Sequence, residues 1–172
     1  MKVLAISGSL RAASKNTALL RAIAQLAPSN VTVELYCDLG KLPLFNPDLE
    51  NDRPQSVISL CEKLMKADVV LIASPEYAHG VTGAIKNALD WMVSTEAFIN
   101  KPVALLNASP RAVHAHKALR ETITVMSGLV IDEASITLAI VGSDFDEAAM
   151  VADPLISNAV LGALHALQVI IK

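Results

Sequence analysis

The sequence predicts a three-layer α/β/α sandwich on a parallel sheet whose strands run in the order 2-1-3-4-5. Three observations carry that prediction. Short apolar runs alternate along the chain with segments of helical periodicity, the pattern of a parallel sheet covered on both faces. The runs at 3–6, 68–73 and 103–106 are apolar throughout or nearly so, as doubly buried strands are, whereas 31–36 and 135–140 alternate apolar with polar residues, as at a sheet edge. The first and third strands are each followed at once by a loop of small residues, where a doubly wound sheet of this order binds its ligand.

Taken in order, Val3-Leu4-Ala5-Ile6 is the first strand and Ser7-Gly8-Ser9 opens the first loop. A helix follows from the apolar periodicity of 18–27, and then the alternating second strand. Residues 37–54, broken by Gly40, Pro43, Pro47 and Pro54 yet rich in Leu and Phe, form a long apolar loop. It is expected to pack on a neighbour or roof a site, with a partner subunit favoured. Val57, Leu60, Cys61 and Leu64 repeat at helical spacing up to about residue 67, and the third strand follows. The loop 74–83 leads into a helix with Ile85, Ala88, Leu89 and Met92 on one face, then the fourth strand and a third loop, Asn107-Ala108-Ser109-Pro110-Arg111. A helix over 113–127 is expected to end at Gly128 as its C-cap. The fifth strand is assigned to 135–140, with 142–153 a loop or short helix. The last helix spans 154–171, with Ile156, Val160, Leu164, Leu167 and Ile171 in one stripe. The order 2-1-3-4-5 is the flavodoxin-like one.

The 172 residues suit one domain, and 53% hydrophobic against 18% charged residues is the composition of a folded chain. A net charge of −3 leaves no basic stripe for nucleic acid. No apolar run approaches the ~20 residues that span a bilayer, and the chain begins in a strand rather than a signal segment. Cys37 and Cys61 form no C-x-x-C and have no histidine at metal-ligand spacing, so a reduced, cytoplasmic setting without a metal is expected. Cys61 reads as a small core residue.

The first loop has the makings of a phosphate site. It stands where a helix N-terminus leaves backbone N–H groups unbonded and favours negative charge. Gly8 and Ser9 let the backbone approach an anion, Arg11 adds a fixed positive charge, and Ser14, Asn16 and Thr17 can donate to phosphate oxygens or cap the helix. A well-capped turn with a solvated arginine is the plain alternative. Neither G-x-G-x-x-G nor G-x-x-x-x-G-K-[ST] is present, which points to a phosphomonoester. The second loop would then meet the rest of the ligand. Gly80 and Gly83 allow close backbone approach, and N–H groups there suit the edge of a flat heterocycle. Tyr77 can stack or bound the pocket, Glu76 either caps a neighbouring backbone group or touches ligand, and His79 meets the ring or water. Lys86 and Asp90 read as a helix pair, Trp91 as buried or at a subunit contact, and His165 as structural. His114 and His116, two apart on a helix, face different sides. No Ser-His-Asp, paired-carboxylate or metal constellation emerges, so catalysis would rest on a cofactor.

Two motifs give the chain a family likeness. Gly8, Ser9, Arg11, Ser14 and Asn16 match a G-S-x-R-x-x-S-x-N loop, and Pro75-Glu76-Tyr77 through Lys86-Asn87-Ala88-Leu89-Asp90-Trp91 match a ring-binding loop and its helix. In these the sequence resembles the NADPH-dependent FMN reductase family, which includes quinone, chromate and azo-dye reductases of flavodoxin-like fold. The resemblance implies FMN, held at its phosphate by Ser9, Arg11, Ser14, Asn16 and Thr17 and at its ring by Pro75, Glu76, Tyr77, Ala78, His79 and Gly80, with Ser109 and Arg111 from the third loop. It implies hydride transfer from NADPH or NADH to flavin N5, then reduction of a quinone, metal oxyanion, azo compound or free flavin, in a homodimer or homotetramer. The chain departs from the family where Ala78 replaces an asparagine, Thr82 a proline, and Arg111-Ala112-Val113-His114 a glycine-rich stretch. Arg111, with His114, is therefore a candidate contact for the flavin, an anionic acceptor or a nucleotide phosphate. Two other readings compete with an FMN-dependent NAD(P)H:acceptor oxidoreductase. One is an FMN electron carrier that does not oxidise NADPH; the other is a flavin-free binding module on the same fold.

Overall fold

A computed structural model describes residues 1–171. In chain order they form β1 (Lys2–Ser7), α1 (Lys15–Leu26), β2 (Thr32–Tyr36), α2 (Gln55–Lys66), β3 (Val69–Ala73), α3 (Gly83–Met92), β4 (Pro102–Leu106), α4 (Val113–Val125), β5 (Leu129–Val130), α5 (Glu147–Ala152) and α6 (Pro154–Ile170). The strands make one sheet in the order β2-β1-β3-β4-β5, every pairing parallel.

The two-residue period of a strand divides the core into two layers. Val3, Ala5, Val69, Leu71, Ala104 and Leu106 face α1 and α6, meeting Leu19, Leu20, Ile23, Val160, Leu164 and Leu167. The intervening Leu4, Ile6, Val70, Ile72, Val103 and Leu105 face α2, α3 and α4, meeting Leu60, Leu64, Ile85, Leu89, Trp91, Leu119 and Ile123. All five residues of β3 are buried, while β2 keeps Thr32 and Glu34 exposed. His165, expected to be structural, lies exposed on α6.

The fifth strand is not where the alternation put it. β5 is only Leu129–Val130, and it is followed by a single 3₁₀ turn, Asp132–Ala134. Ser135 interrupts the edge: its Oγ donates to Ile131 O (2.7 Å) and accepts from Leu105 N–H (3.0 Å), replacing a strand carbonyl. Extended pairing resumes only beyond β4, where Asn107 N–H bonds Ile136 O (2.9 Å) and Leu138 N–H bonds Asn107 O (2.8 Å). The alternating segment is therefore an edge, but of the loop after β4. Gly128 also acts differently from expectation. Ser127 takes the left-handed conformation (φ 64°), and the N–H of Gly128 reaches back to Ile123 O at 2.9 Å. A Cβ on Gly128 would lie 2.6 Å from Ile123 Cγ2, so space rather than φ requires glycine there.

The 37–54 loop, with its two 3₁₀ turns Leu39–Lys41 and Pro47–Leu49, packs on α3 of its own chain. Asn87 accepts from Phe45 N–H (2.8 Å) and donates to Pro43 O (2.9 Å), an oxygen that also accepts from Trp91 Nε1 (2.8 Å). Phe45 meets the fully buried Trp91 edge to face at 5.1 Å. Beside them Lys86 and Asp90 pair at 2.5 Å. Cys61 packs partly buried against the core.

Candidate functional site

A cavity of about 350 Å³ opens at the carboxyl ends of β1, β3 and β4. The first loop contributes Ser9, Arg11, Ser14 and Asn16, the second Pro75, Glu76 and Tyr77, and the third Ser109 and Arg111. Three separate loops thus converge where the strand order reverses, the place expected from topology.

Serines build the first loop. Ser9 N–H bonds Ser7 Oγ (3.3 Å), and Ser14 is the N-cap of α1, its Oγ accepting from Thr17 N–H at 3.2 Å. The N–H groups of Lys15 and Asn16, at the first positions of α1, have no intrahelical acceptor. Asn16 is 4% exposed, and its Oδ1 has no hydrogen-bond partner although it is buried. A buried polar atom left unpaired costs about 1–3 kcal/mol, and no donor among the described residues meets this one. The Nδ2 end of the amide is the one able to donate to an anion in the cavity that Asn16 lines. Together with Arg11 these groups fit a phosphomonoester. Thr17 stands apart: its Oγ1 pairs with Ser7 Oγ at 2.7 Å, and it is not among the lining residues.

The second loop divides in two. Pro75, Glu76 and Tyr77 line the cavity, but Ala78, His79 and Gly80 do not. Tyr77 and Gly80 exchange both backbone hydrogen bonds (3.1 and 3.0 Å) across a two-residue turn in which Ala78 (φ 50°) and His79 (φ 58°) are both left-handed. That is the primed turn usually filled by Asn-Gly. His79 is exposed and stacks on His114 from the first turn of α4, ring centroids 4.3 Å apart. His116 faces elsewhere, half-buried, its pKa lowered chiefly by burial and further by Arg120, with Asp132 opposing. Within the protein itself, a Cβ on Gly83 would meet nothing within 4 Å, and one on Gly80 only Tyr77 O at 3.7 Å. Because left-handed backbone costs an L-residue roughly 1 kcal/mol or more and asparagine tolerates it better, Ala78→Asn should stabilise the protein by about 0.5–1 kcal/mol. A thermal melt checks this; a midpoint that stays put or falls shows that no strain is stored in the turn.

Glu76 does cap a neighbour. Its Oε2 accepts from Ala115 N–H (2.8 Å), serving α4, whose own N-cap Ala112 has no side-chain oxygen to offer. It is the single carboxylate of the lining, against three cations, Arg11, Lys15 and Arg111. Lys15 Nζ donates to Phe145 O (2.5 Å), and none of the three belongs to the ion pairs of the described residues. The cavity is cationic.

Ala13, Lys15, Ser74, Asn107, Ala108, Ala112 and Val141 also line it, and sequence reasoning passed over them as site residues. Ser74 and Asn107 stand immediately after buried strands, so the carboxyl-end rule could have found both. Val141 arrives through Val141 N–H to Ala108 O (2.9 Å), a pairing that no local pattern announces.

Against known proteins, the family model described as NADPH-dependent FMN reductase matches residues 1–141. An NAD(P)H-dependent FMN reductase of Pseudomonas aeruginosa is 32% identical over 178 residues, covering 100% of this chain and 96% of that protein. A quinone reductase of Escherichia coli K12 is 28% identical over 140 residues, covering 77% and 74%. Among solved structures, a flavoenzyme NAD(P)H:(acceptor) oxidoreductase of Paracoccus denitrificans superposes with a TM-score of 0.77 at 24% identity, over 97% of each chain, a likeness of fold.

Proposed function

Since the chain belongs to the NADPH-dependent FMN reductase family, we propose that it is an FMN-dependent oxidoreductase moving electrons from NADPH or NADH to a small-molecule acceptor at the cavity described above. The observation that carries the proposal is the phosphate-suited corner: the free amino end of α1, the unpaired Asn16 amide and the unpaired Arg11 meet in one cationic cavity.

On this reading Ser9, Arg11, Ser14 and Asn16 hold the phosphate, Pro75, Glu76 and Tyr77 border the ring, and Ser109 and Arg111 close the third side. Thr17 acts one step back by fixing Ser7, and Ala78, His79 and Gly80 shape the loop from outside the cavity. Bound FMN supplies the two-electron chemistry between nucleotide and acceptor. With a quinone as acceptor the net reaction is NAD(P)H + H⁺ + quinone → NAD(P)⁺ + hydroquinone. No side chain of the lining need exchange a proton for this balance. The residues bind and orient, and Glu76 is a positioning residue that ties the second loop to α4.

Quinones lead the acceptor classes, because a quinone reductase is among the relatives; metal oxyanions, azo compounds and free flavin are the others. Residues 1–172 serve as one FMN-binding unit. A homodimer or homotetramer goes with the reading, supported by the exposed Leu44 and Val93 beside α3. A cytoplasmic setting goes with it too, supported by the free thiols Cys37 and Cys61. Among the described residues no helix is long and apolar enough to cross a membrane.

The test is a visible spectrum of the purified protein with FMN added, followed anaerobically after one equivalent of NADPH. Flavin absorbance retained on the protein and then bleached supports the reading. Flavin that binds and stays oxidised makes the protein a carrier or the user of another donor, and absence of bound flavin ends the enzyme reading.

A further inference from the structure

We propose that Arg111 selects the acceptor: a planar acceptor bearing an anionic substituent, such as a carboxylate, sulfonate or ionised hydroxyl on a quinone or azo ring, is preferred over its neutral parent. The inference rests on the oxidoreductase reading and names its substrate class.

A count of charges comes first. FMN carries one phosphomonoester, and the β1–α1 loop answers it with Arg11 and the amino end of α1. Of the remaining cations in the lining, Lys15 donates its ammonium to Phe145 O. Among the described residues Arg111 is left with no ion pair. It enters from the loop after β4, which is separated from β1 by β3, about 10 Å across the sheet. Glu76 and Arg111 form no ion pair among the described residues, and the Glu76 Oε2 accepts instead from Ala115 N–H. The cavity thus holds a second guanidinium, set across the sheet from the β1–α1 corner.

Arg111 also stands on a fixed base. Asn107, 5% exposed, accepts from Ser109 N–H (3.0 Å) and donates to Ala112 O (3.3 Å), while Ala112 N–H bonds Ser109 O (3.0 Å). Ser109 Oγ further accepts from Arg111 N–H at 3.4 Å. A guanidinium whose backbone is held before the ligand arrives gives up less freedom on binding, and its planar fork suits a carboxylate or sulfonate. Tyr77, 61% exposed and lining the same cavity, offers a flat face for the acceptor ring.

The experiment compares 1,4-naphthoquinone with its 2-sulfonate as acceptors for the FMN-loaded wild type, Arg111→Gln and Arg111→Lys. The ratio of kcat/KM, sulfonate over parent, should fall by about tenfold or more in Arg111→Gln, as expected on losing a charge-assisted hydrogen bond, with partial recovery in Arg111→Lys. A readout without turnover accompanies it: naphthalene-2-sulfonate, titrated onto the oxidised FMN-loaded protein and followed by the flavin difference spectrum, should bind about tenfold more weakly to Arg111→Gln. A ratio and a sulfonate affinity within about twofold of wild type overturn the proposal. So does a rise in KM for NADPH but not NADH with the acceptor ratio unchanged, which would give Arg111 to the nucleotide's phosphate. Weaker FMN retention with an unchanged ratio would give it to the cofactor, and overturns the proposal equally. Failure of the parent reading looks different: wild type that holds FMN yet passes no electrons from NADPH to either quinone. The sulfonate titration still decides Arg111 in that case.

Discussion

Gly8→Ala should lower the stability of the protein by about 1–3 kcal/mol and Gly8→Val by more, with FMN retention lost alongside. The reason lies in a three-way clasp. Gly8 N–H bonds Ala73 O at the end of β3 (2.8 Å), and Gly8 O accepts from Thr82 Oγ1 (2.7 Å), the residue that caps α3 through Ile85 N–H. One glycine thereby joins β1, β3 and the start of α3 directly under the cavity. A Cβ on it would lie 2.2 Å from Ser74 Oγ and 2.7 Å from both Ser74 Cβ and Ile85 Cγ1. Ser74 Oγ can rotate away, but Ser74 Cβ is fixed by the strand end and Ile85 is 2% exposed in a packed layer. Relief must come from moving backbone, and the backbone that moves carries Ser9 and Pro75. Gly83→Ala is the matched control, since a Cβ there meets nothing within 4 Å; replacing glycine in the first turn of a helix should be neutral or stabilising by up to about 1 kcal/mol. Urea unfolding of the variants reads the difference. If Gly8→Ala unfolds at the wild-type midpoint, the clasp yields freely and does not set the position of the first loop.

The role of Gly8 marks where the sequence stopped being readable. A glycine after a buried strand suggested room for an anion, whereas its neighbours show that the missing side chain makes room for Ser74 and Ile85. The first is a local inference; the second needs residues far along the chain. The same division runs through the fold. β3 and β4 are buried on both faces and β2 on one, and those patterns are local, so the order β2-β1-β3-β4-β5 could be read from them. The fifth strand could not, because Ser135 supplies a side-chain oxygen where a strand would supply a carbonyl. Apolar content showed that the 37–54 loop covers something. Only the bonds from Asn87 and Trp91 to Pro43 O show that it covers α3. In the site, residues adjoining strand ends were legible as lining. The turn after Tyr77 leaves the lining because Ala78 and His79 are left-handed and His79 rests on His114, a contact between a loop and the first turn of α4 with no common motif.

Arg11→Ala should weaken FMN binding by about 10- to 100-fold, the size expected for a charge-assisted hydrogen bond to phosphate. Arg11 is exposed, lines the cavity and forms no ion pair among the described residues, so loss of its side chain costs the fold little. Because the attraction is between charges near solvent, the gap between wild type and variant should narrow as salt is raised from low to near-molar concentration. Asn16→Ala makes the sharper companion. With Oδ1 buried and unpaired, the FMN-free protein pays for that amide and gets no bond in return. Replacing it should leave the thermal midpoint of the FMN-free protein unchanged or higher, yet weaken FMN binding by about tenfold. Opposite signs on stability and affinity are the signature of a group kept for a ligand. A purely structural asparagine would lose stability when replaced and leave the affinity of the folded protein alone. Fluorescence quenching of FMN gives the affinities and a melt of the FMN-free protein gives the stabilities. If Arg11→Ala and Asn16→Ala both bind FMN as tightly as wild type, the phosphate does not sit at the start of α1, and the cationic wall formed by Arg111 becomes the place to look for it.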